Sequence, residues 1–400
     1  MKYVVILGDG MAGFPLPDRG DKTTLQLAKK PFIDALAKKS LLGTAKTVPA
    51  GFAPGSDVAN LSVMGYDPAK YYSGRSPLEA ASIGIDLKDT DATLRCNLVT
   101  LSEGGMYEDK TMIDYSAGEI STEEANQLIA SLKAAFSPGE LYAGVSYRHA
   151  AVIRGGKVGT DFTPPHDITG KKIADYLPKG LYGDKFRALI EKSIEIFKDH
   201  PVNTARIKAG KRPATSVWFW GEGTKPRLDK FEDMFGKKGA VISAVDLVKG
   251  IGIGSGMTVY DIPTATGTVD TDYESKAAAA VTALKTHDFV FIHLEGPDEC
   301  GHQGDRKGKI TAIERIDERI VKPLLSELKK YDDYAICIMP DHATPLSVRT
   351  HTRDAIPFLI YDSGSKSGSG VPFSEKHAKT TGLEISHGYE IIRMLFGMNK

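Results

Sequence analysis

The chain is poor in cysteine, with Cys96, Cys300 and Cys337 the only three in 400 residues. So few thiols cannot build a disulfide framework, which fits a reducing compartment and makes a cytoplasmic location the expectation. Net charge is missing too, because Lys+Arg and Asp+Glu each number 51. Without a global field, neither nucleic acid nor an anionic membrane is an expected partner, and any grip on an anion has to be built locally. No apolar run approaches the roughly 20 residues of a membrane span. Met1-Lys2 leads straight into an apolar run, so no secretory leader is expected. A Gly-x-x-x-x-Gly-Lys-Ser/Thr loop is also absent, which argues against that mode of nucleotide binding.

The chain does carry metal-ligand residue types at the ends of buried apolar runs. Phe289-Val-Phe-Ile-His-Leu is apolar at all but one position and is followed by Gly296-Pro297, the pattern of a strand covered on both faces. Asp298 and His302 come next at i and i+4, so a helical turn aims both at one point. A second run, Tyr334-Ala-Ile-Cys-Ile-Met, ends in Pro340-Asp341-His342, and His351 comes shortly after. Singly, such residues are usually loop acids and satisfied histidines. Delivered together after strand signals, they describe a metal site on the rim of a parallel sheet. Tyr3-Val-Val-Ile-Leu likewise ends in Gly8-Asp9-Gly10, where glycines let backbone and ligand approach closely.

Ser56, in Pro54-Gly55-Ser56-Asp57, precedes the apolar-periodic Val58, Leu61 and Met64 and so stands at a helix start. The plain reading is an N-cap serine. The chemical one is a nucleophile beside free backbone N–H groups, needing a metal to acidify its weakly nucleophilic hydroxyl. Seven groups serve two cations: Asp9, Ser56, Asp341 and His342 for one, and Asp298, His302 and His351 for the other. Mixed oxygen and nitrogen donors suit Mn²⁺ or Zn²⁺, with Mg²⁺ a further candidate. Such a pair would clamp the attacking and leaving oxygens of a phosphoryl displacement.

Strand and helix signals alternate in two blocks, residues 1–86 and 213–400, around a segment, 87–212, richer in turns, charge and amphipathic strands. The expected architecture is α/β: a doubly wound, mainly parallel sheet with a smaller α+β domain inserted into it. Leu41–Val48 is expected to complete a βαβ unit with the first strand, and Thr215–Gly221 to return to the sheet of the first block. Arg75, Arg95, Asn97, Arg148 and His149 are the candidates for gripping a substrate phosphate or carboxylate.

Gly8-Asp-Gly-Met, Pro54-Gly-Ser-Asp, Gly65-Tyr-Asp-Pro, Gly74-Arg, Pro297-Asp-Glu-Cys-Gly-His and Pro340-Asp-His together resemble the archaeal-type cofactor-independent phosphoglycerate mutases of the alkaline phosphatase superfamily. The resemblance covers nearly the whole chain in order. It implies an alkaline-phosphatase-like core and a phosphoserine on Ser56. It also implies interconversion of 3- and 2-phosphoglycerate without 2,3-bisphosphoglycerate, and an insert that holds the glycerate and closes over it about hinges near residues 86 and 213. Ser56, Arg75 and Asp114 are then the expected catalytic set, Asp114 orienting a hydroxyl or acting as a general base. The expected partner is a small phosphorylated metabolite, and a homo-oligomer is left open.

The chain departs from that family in having Asn60 where a His is general, and Asp114-Tyr-Ser-Ala-Gly-Glu119 where an Arg-rich stretch is usual. Gly74-Arg-Ser-Pro-Leu-Glu-Ala-Ala-Ser is similar to a bacterial branch proposed to act as homoserine kinase. Alternatives on the same core are therefore a homoserine-kinase-like phosphotransferase and a metal-dependent phosphatase or phosphonate hydrolase. From another class comes a catalytically dead binding protein, which loss of a ligand or of Ser56 would mark; neither is lost.

Overall fold

Val4, Val5, Ile6 and Leu7, like Phe289–Leu294 and Tyr334–Met339, have no side to turn to water, and all are buried. A sheet covered on both faces is what such strands require. The structure, a computed structural model, describes residues 1–136, 139–365 and 367–398. The chain divides into two compact units, residues 1–72 with 227–400, and residues 73–226.

The first unit is built on an eight-stranded sheet. From edge to edge its strands are Thr258–Tyr260, Gly239–Ile242, Phe289–Leu294, Lys2–Gly8, Tyr334–Met339, Ile356–Asp362, Leu41–Ala45 and Glu384–Ile385. Ile356–Asp362 runs antiparallel to both its neighbours, and every other pairing in this sheet is parallel. The doubly wound, mainly parallel α/β architecture is thus present. The expected crossover from Lys2–Gly8 through helices to a parallel strand at Leu41–Ala45 is present too, but the two strands do not pair, because Tyr334–Met339 and Ile356–Asp362 lie between them. Register sets where the chemical side chains emerge. Leu7 pairs with both His293 and Met339, so the three central strands end level. Being parallel, they deliver Asp9, Glu295 and Asp341 to the same rim.

The second unit carries a five-stranded antiparallel sheet. Its long strand Ala92–Leu101 pairs with Met112–Asp114, Arg148–Ile153 and Ser216–Thr224, and Glu140–Tyr142 pairs with Arg148–Ile153. Helices Thr122–Lys133 and Gly183–Lys198 turn Leu128, Ile129, Phe186 and Ile190 into its core. The unit's ends differ from the expected 86 and 213. Ser216–Thr224 pairs with Ala92–Leu101, and helix Ser76–Ser82 packs on both strands. The Thr215–Gly221 run therefore joins the second unit and not the first. An apolar run states that a strand is covered, not which sheet covers it.

Candidate functional site

At the rim of the parallel sheet the chain turns sharply after Gly8, and Gly10 has φ +57°. A Cβ there would stand 2.4 Å from Asp298 Oδ1 and 2.5 Å from Thr344 Oγ1, so only glycine fits. The turn places buried Asp9 facing inward. Its Oδ2 accepts from His293 Nε2 at 2.8 Å, and its Oδ1 is buried without a hydrogen-bond donor among the described residues.

Asp341 and His342 come after Tyr334–Met339 on the neighbouring strand and are fully buried. Asp341 Oδ1 accepts from the backbone N–H of Gly10 at 3.2 Å and of His342 at 2.9 Å. Its Oδ2 accepts from Asn60 Nδ2 at 2.8 Å. Ser56 opens helix Ser56–Val63 with Gly55 as N-cap, so the serine hydroxyl is not spent on capping. It lies 3.0 Å from His342 Nε2 instead. Asn60, one turn on, also donates to the Ser56 carbonyl at 2.9 Å, tying the serine to Asp341.

Asp298 and His302 lie in helix Gly296–Gln303, and the i,i+4 spacing brings Asp298 Oδ2 to 3.1 Å from His302 Nε2. His351 Nε2 is 3.0 Å from His302 Nε2 and 3.6 Å from Asp298 Oδ1. Partners fix the tautomers. The Arg349 carbonyl, 3.0 Å from His302 Nδ1, can only accept, so Nδ1 carries the proton. Thr344 donates its one hydroxyl hydrogen to Asp298 Oδ1, so His342 Nδ1 donates to Thr344 Oγ1 at 3.2 Å. Both histidines therefore turn Nε2 inward.

Two ligand groups result, Asp9–Asp341–His342 and Asp298–His342–His351, each with its donor atoms within 4.8 Å of one another. His342 belongs to both, and His302 reaches the second through Asp298 and His351. Burial, then the charges of Asp341, Asp298 and Glu295, push the Asp9 carboxyl well above the usual range. Burial also raises Asp341 and drives His342 well below the usual imidazole value. Burial opposes the charge on Asp298, yet its bonds with His302 and His351 hold its carboxyl well below the ordinary value. Likewise His302, although half-buried, is raised to about 9 by Asp298. Converging carboxylates, inward-turned imidazole Nε2 atoms and an orphaned Asp9 oxygen fit divalent cations with mixed oxygen and nitrogen coordination.

The supporting groups escaped sequence reading. His293, inside the Phe289–Leu294 strand, is kept neutral by burial, its pKa pushed down to about 3. It therefore donates to Asp9 from Nε2 while Nδ1 faces Ser243 Oγ at 3.3 Å. Lys309, fully buried, donates to the carbonyls of Ala12 at 3.1 Å and Thr344 at 2.7 Å, joining two ligand-bearing loops. Lys276 donates to the His293 carbonyl at 3.2 Å. A lone His in a buried strand and lysines on helices carry little local signal. The available clue was polarity at positions that the helical and strand periods turn inward.

In the second unit, Arg95 and Arg75 share one carboxylate, Glu79, through Nε atoms at 2.7 and 2.9 Å. Although Glu79 is largely shielded from water, Arg95, Arg75 and Arg148 hold its carboxyl below the usual range. Arg95 lies 4.3 Å from the centre of the Trp220 ring. Trp220 Nε1 donates to Asn97 Oδ1 at 2.9 Å, and Asn97 Nδ2 donates to the Tyr115 carbonyl at 3.1 Å. Asn97 thus braces the tryptophan beneath the arginine.

His149 pairs across from Cys96, so strand alternation turns it to the face opposite Arg95, Asn97 and Arg148. Its Nδ1 accepts from the Gly144 N–H at 3.1 Å, and burial, then Arg148, lowers its pKa to about 3. The structure does not bring it together with the arginines, as the sequence could not tell. Asp114 accepts from the backbone N–H groups of Ser116 and Gly118, from Ser116 Oγ and from Arg212 Nη1. With both oxygens engaged, it organises its own loop rather than presenting a free base.

A sequence model of the family described as 2,3-bisphosphoglycerate-independent phosphoglycerate mutase matches residues 37–203. A Methanosarcina acetivorans protein of that name is 49% identical over 401 residues, covering 99% of each chain. A solved structure from Pyrococcus horikoshii superposes with a TM-score of 0.81 at 28% identity, covering 100% of this chain and 98% of the other. A structure titled as the cofactor-independent phosphoglycerate mutase of Thermoplasma acidophilum shares the fold, with a TM-score of 0.62 at 24% identity and 99% coverage of each chain.

Proposed function

The chain belongs to the 2,3-bisphosphoglycerate-independent phosphoglycerate mutase family, and from that premise we propose that it interconverts 3- and 2-phosphoglycerate by passing one phosphoryl group through Ser56. One observation carries the reading: a serine hydroxyl at the head of a helix, unspent on capping and 3.0 Å from His342 Nε2, among ligand-type carboxylates.

In the forward direction Ser56 gives up its proton and Oγ forms a bond to phosphorus as the bond to the C3 oxygen of the substrate breaks. That oxygen leaves as a hydroxyl, having taken up a proton. The C2 hydroxyl of the same glycerate then attacks the phosphoserine, losing its proton as Ser56 regains one. Phosphorus and charge balance, and no bisphosphorylated primer enters. The helix start offers the positive end of its dipole to the phosphoryl oxygens. Divalent cations, Mn²⁺ or Zn²⁺ by donor type, would be held by Asp9, Ser56, Asp341 and His342 and by Asp298, His302 and His351, supplying acidification of the serine hydroxyl and screening of phosphoryl charge. His293 and Asn60 fix the orientation of Asp9 and Asp341.

We assign recognition of the substrate anion to Arg75, Arg95 and Arg148. Asn97 braces this group, while His149 and Asp114 serve the fold of the second unit. The test is an enolase-coupled assay on 3-phosphoglycerate with and without Mn²⁺ and without bisphosphoglycerate. Metal-dependent turnover is expected. A flat trace from folded, metal-loaded protein would overturn the substrate, and homoserine with ATP would be assayed next.

A further inference from the structure

Arg349 stands at φ +58°, in the left-handed region where residues other than glycine are uncommon. Its own N–H donates to the Pro345 carbonyl at 2.9 Å, closing a turn, and its side chain is exposed. The guanidinium lies over Gly304, the left-handed residue that ends helix Gly296–Gln303, where an added Cβ would be 2.9 Å from Arg349 Nε. The left-handed backbone points the Arg349 carbonyl at His302 Nδ1, 3.0 Å away.

That contact decides the state of the ring. With Nδ1 tied to that carbonyl, Nε2 of His302 is turned toward Asp298 Oδ2 at 3.1 Å and His351 Nε2 at 3.0 Å. Among the described residues no other hydrogen bond to His302 Nδ1 is found. An extended backbone at Arg349 would swing the carbonyl away and leave the ring free to turn or change tautomer. Strain retained at a ligand-bearing loop needs a compensating return, and orientation of a ligand is one.

We propose that Arg349 is a positioning residue whose strained main chain, not its side chain, fixes His302 and thereby sets affinity for the second cation. The proposal rests on the reading of Asp298, His302 and His351 as that cation's ligands.

The experiment titrates Mn²⁺ into the full chain by calorimetry and records the visible spectrum of the Co²⁺-loaded protein. It compares the native protein with Arg349→Gly, Arg349→Ala, Arg349→Val and His302→Ala. Glycine adopts the left-handed backbone freely, so Arg349→Gly should bind the second equivalent within about 2-fold of native. A β-branched residue resists that conformation, so Arg349→Val should weaken the second equivalent by at least about 10-fold and leave the first unchanged. Arg349→Ala should fall between them and keeps the test open should the valine variant fold poorly. In the Co²⁺ spectra, band intensity from the second site should track the same order. If Arg349→Gly binds as weakly as Arg349→Val, the guanidinium over Gly304 is the active element and the proposal is overturned. It is equally overturned if Arg349→Val binds like native while His302→Ala loses the second equivalent. His302→Ala retaining both equivalents would sink the underlying ligand reading instead.

Discussion

The two halves of the ligand cluster meet at His342 and are built on opposite electrostatic terms. Around Asp9 and Asp341 the carboxylates converge, and their histidine neighbours, His293 and His342, are held neutral by burial. Neither imidazole offsets the charge, and both carboxyls rise above the usual range. Around Asp298 a single carboxylate faces His302 and His351, its carboxyl falls and the His302 imidazole is raised to about 9. The first half gains most from a bound cation, whereas the second already offsets its carboxylate with an imidazole proton. Proximity to Ser56 goes with the half whose charge is not offset. A phosphoryl oxyanion calls for unspent positive charge, which an ion bound there would bring.

Three measurements sharpen or break this contrast, taken from the largest expected effect. Replacing Ser56 by alanine should lower transfer by at least about 10³-fold while both cation equivalents still bind. Normal turnover in that variant would remove the covalent step and the special standing of the first half. Chelation comes next. A cation at about 100 times its Kd stabilises by about 2.7 kcal/mol, so stripping the protein should lower its urea midpoint accordingly. An unchanged midpoint would mean the carboxylates have another partner. The smallest effect carries the most diagnostic sign. In metal-free protein, Asp9→Asn should stabilise by about 1 kcal/mol because it removes a buried carboxyl whose ionisation burial and Asp341, Asp298 and Glu295 oppose. Asp298→Asn should destabilise by about 2 kcal/mol because it strands His302 and His351. Denaturant midpoints of the same sign for both variants would break the comparison.

Much of the site was legible because its residues obey local rules. Asp298 and His302 share a helix face by spacing, and Asp9 and Asp341 come after strands whose apolar runs announce burial. Ser56 stands at a helix start, as its context predicts, although Gly55 and not Ser56 is the cap. The supporting groups were not legible, since His293, Lys309 and the Asn60 bridge each depend on a partner about 280 to 300 positions away. The arginine group shows the same limit. Arg95 and Arg75 meet at Glu79, but His149, one residue from Arg148, faces the other side of the sheet. Adjacency in sequence separates residues in a strand, and only register reveals which face each one takes.

By itself the sequence determined the classes of element and the ligand chemistry: buried strands, helix starts, and carboxylates and imidazoles at strand ends. These depend on nearest neighbours and on side-chain period, which the order of residues states directly. Tertiary structure alone decided that Lys2–Gly8 lies between Phe289–Leu294 and Tyr334–Met339, and that Ser216–Thr224 belongs with Ala92–Leu101. It also set Arg349 in a left-handed turn beneath His302. Pairing partners are chosen by the burial and hydrogen bonding of the whole sheet, a balance among distant segments that no local pattern encodes.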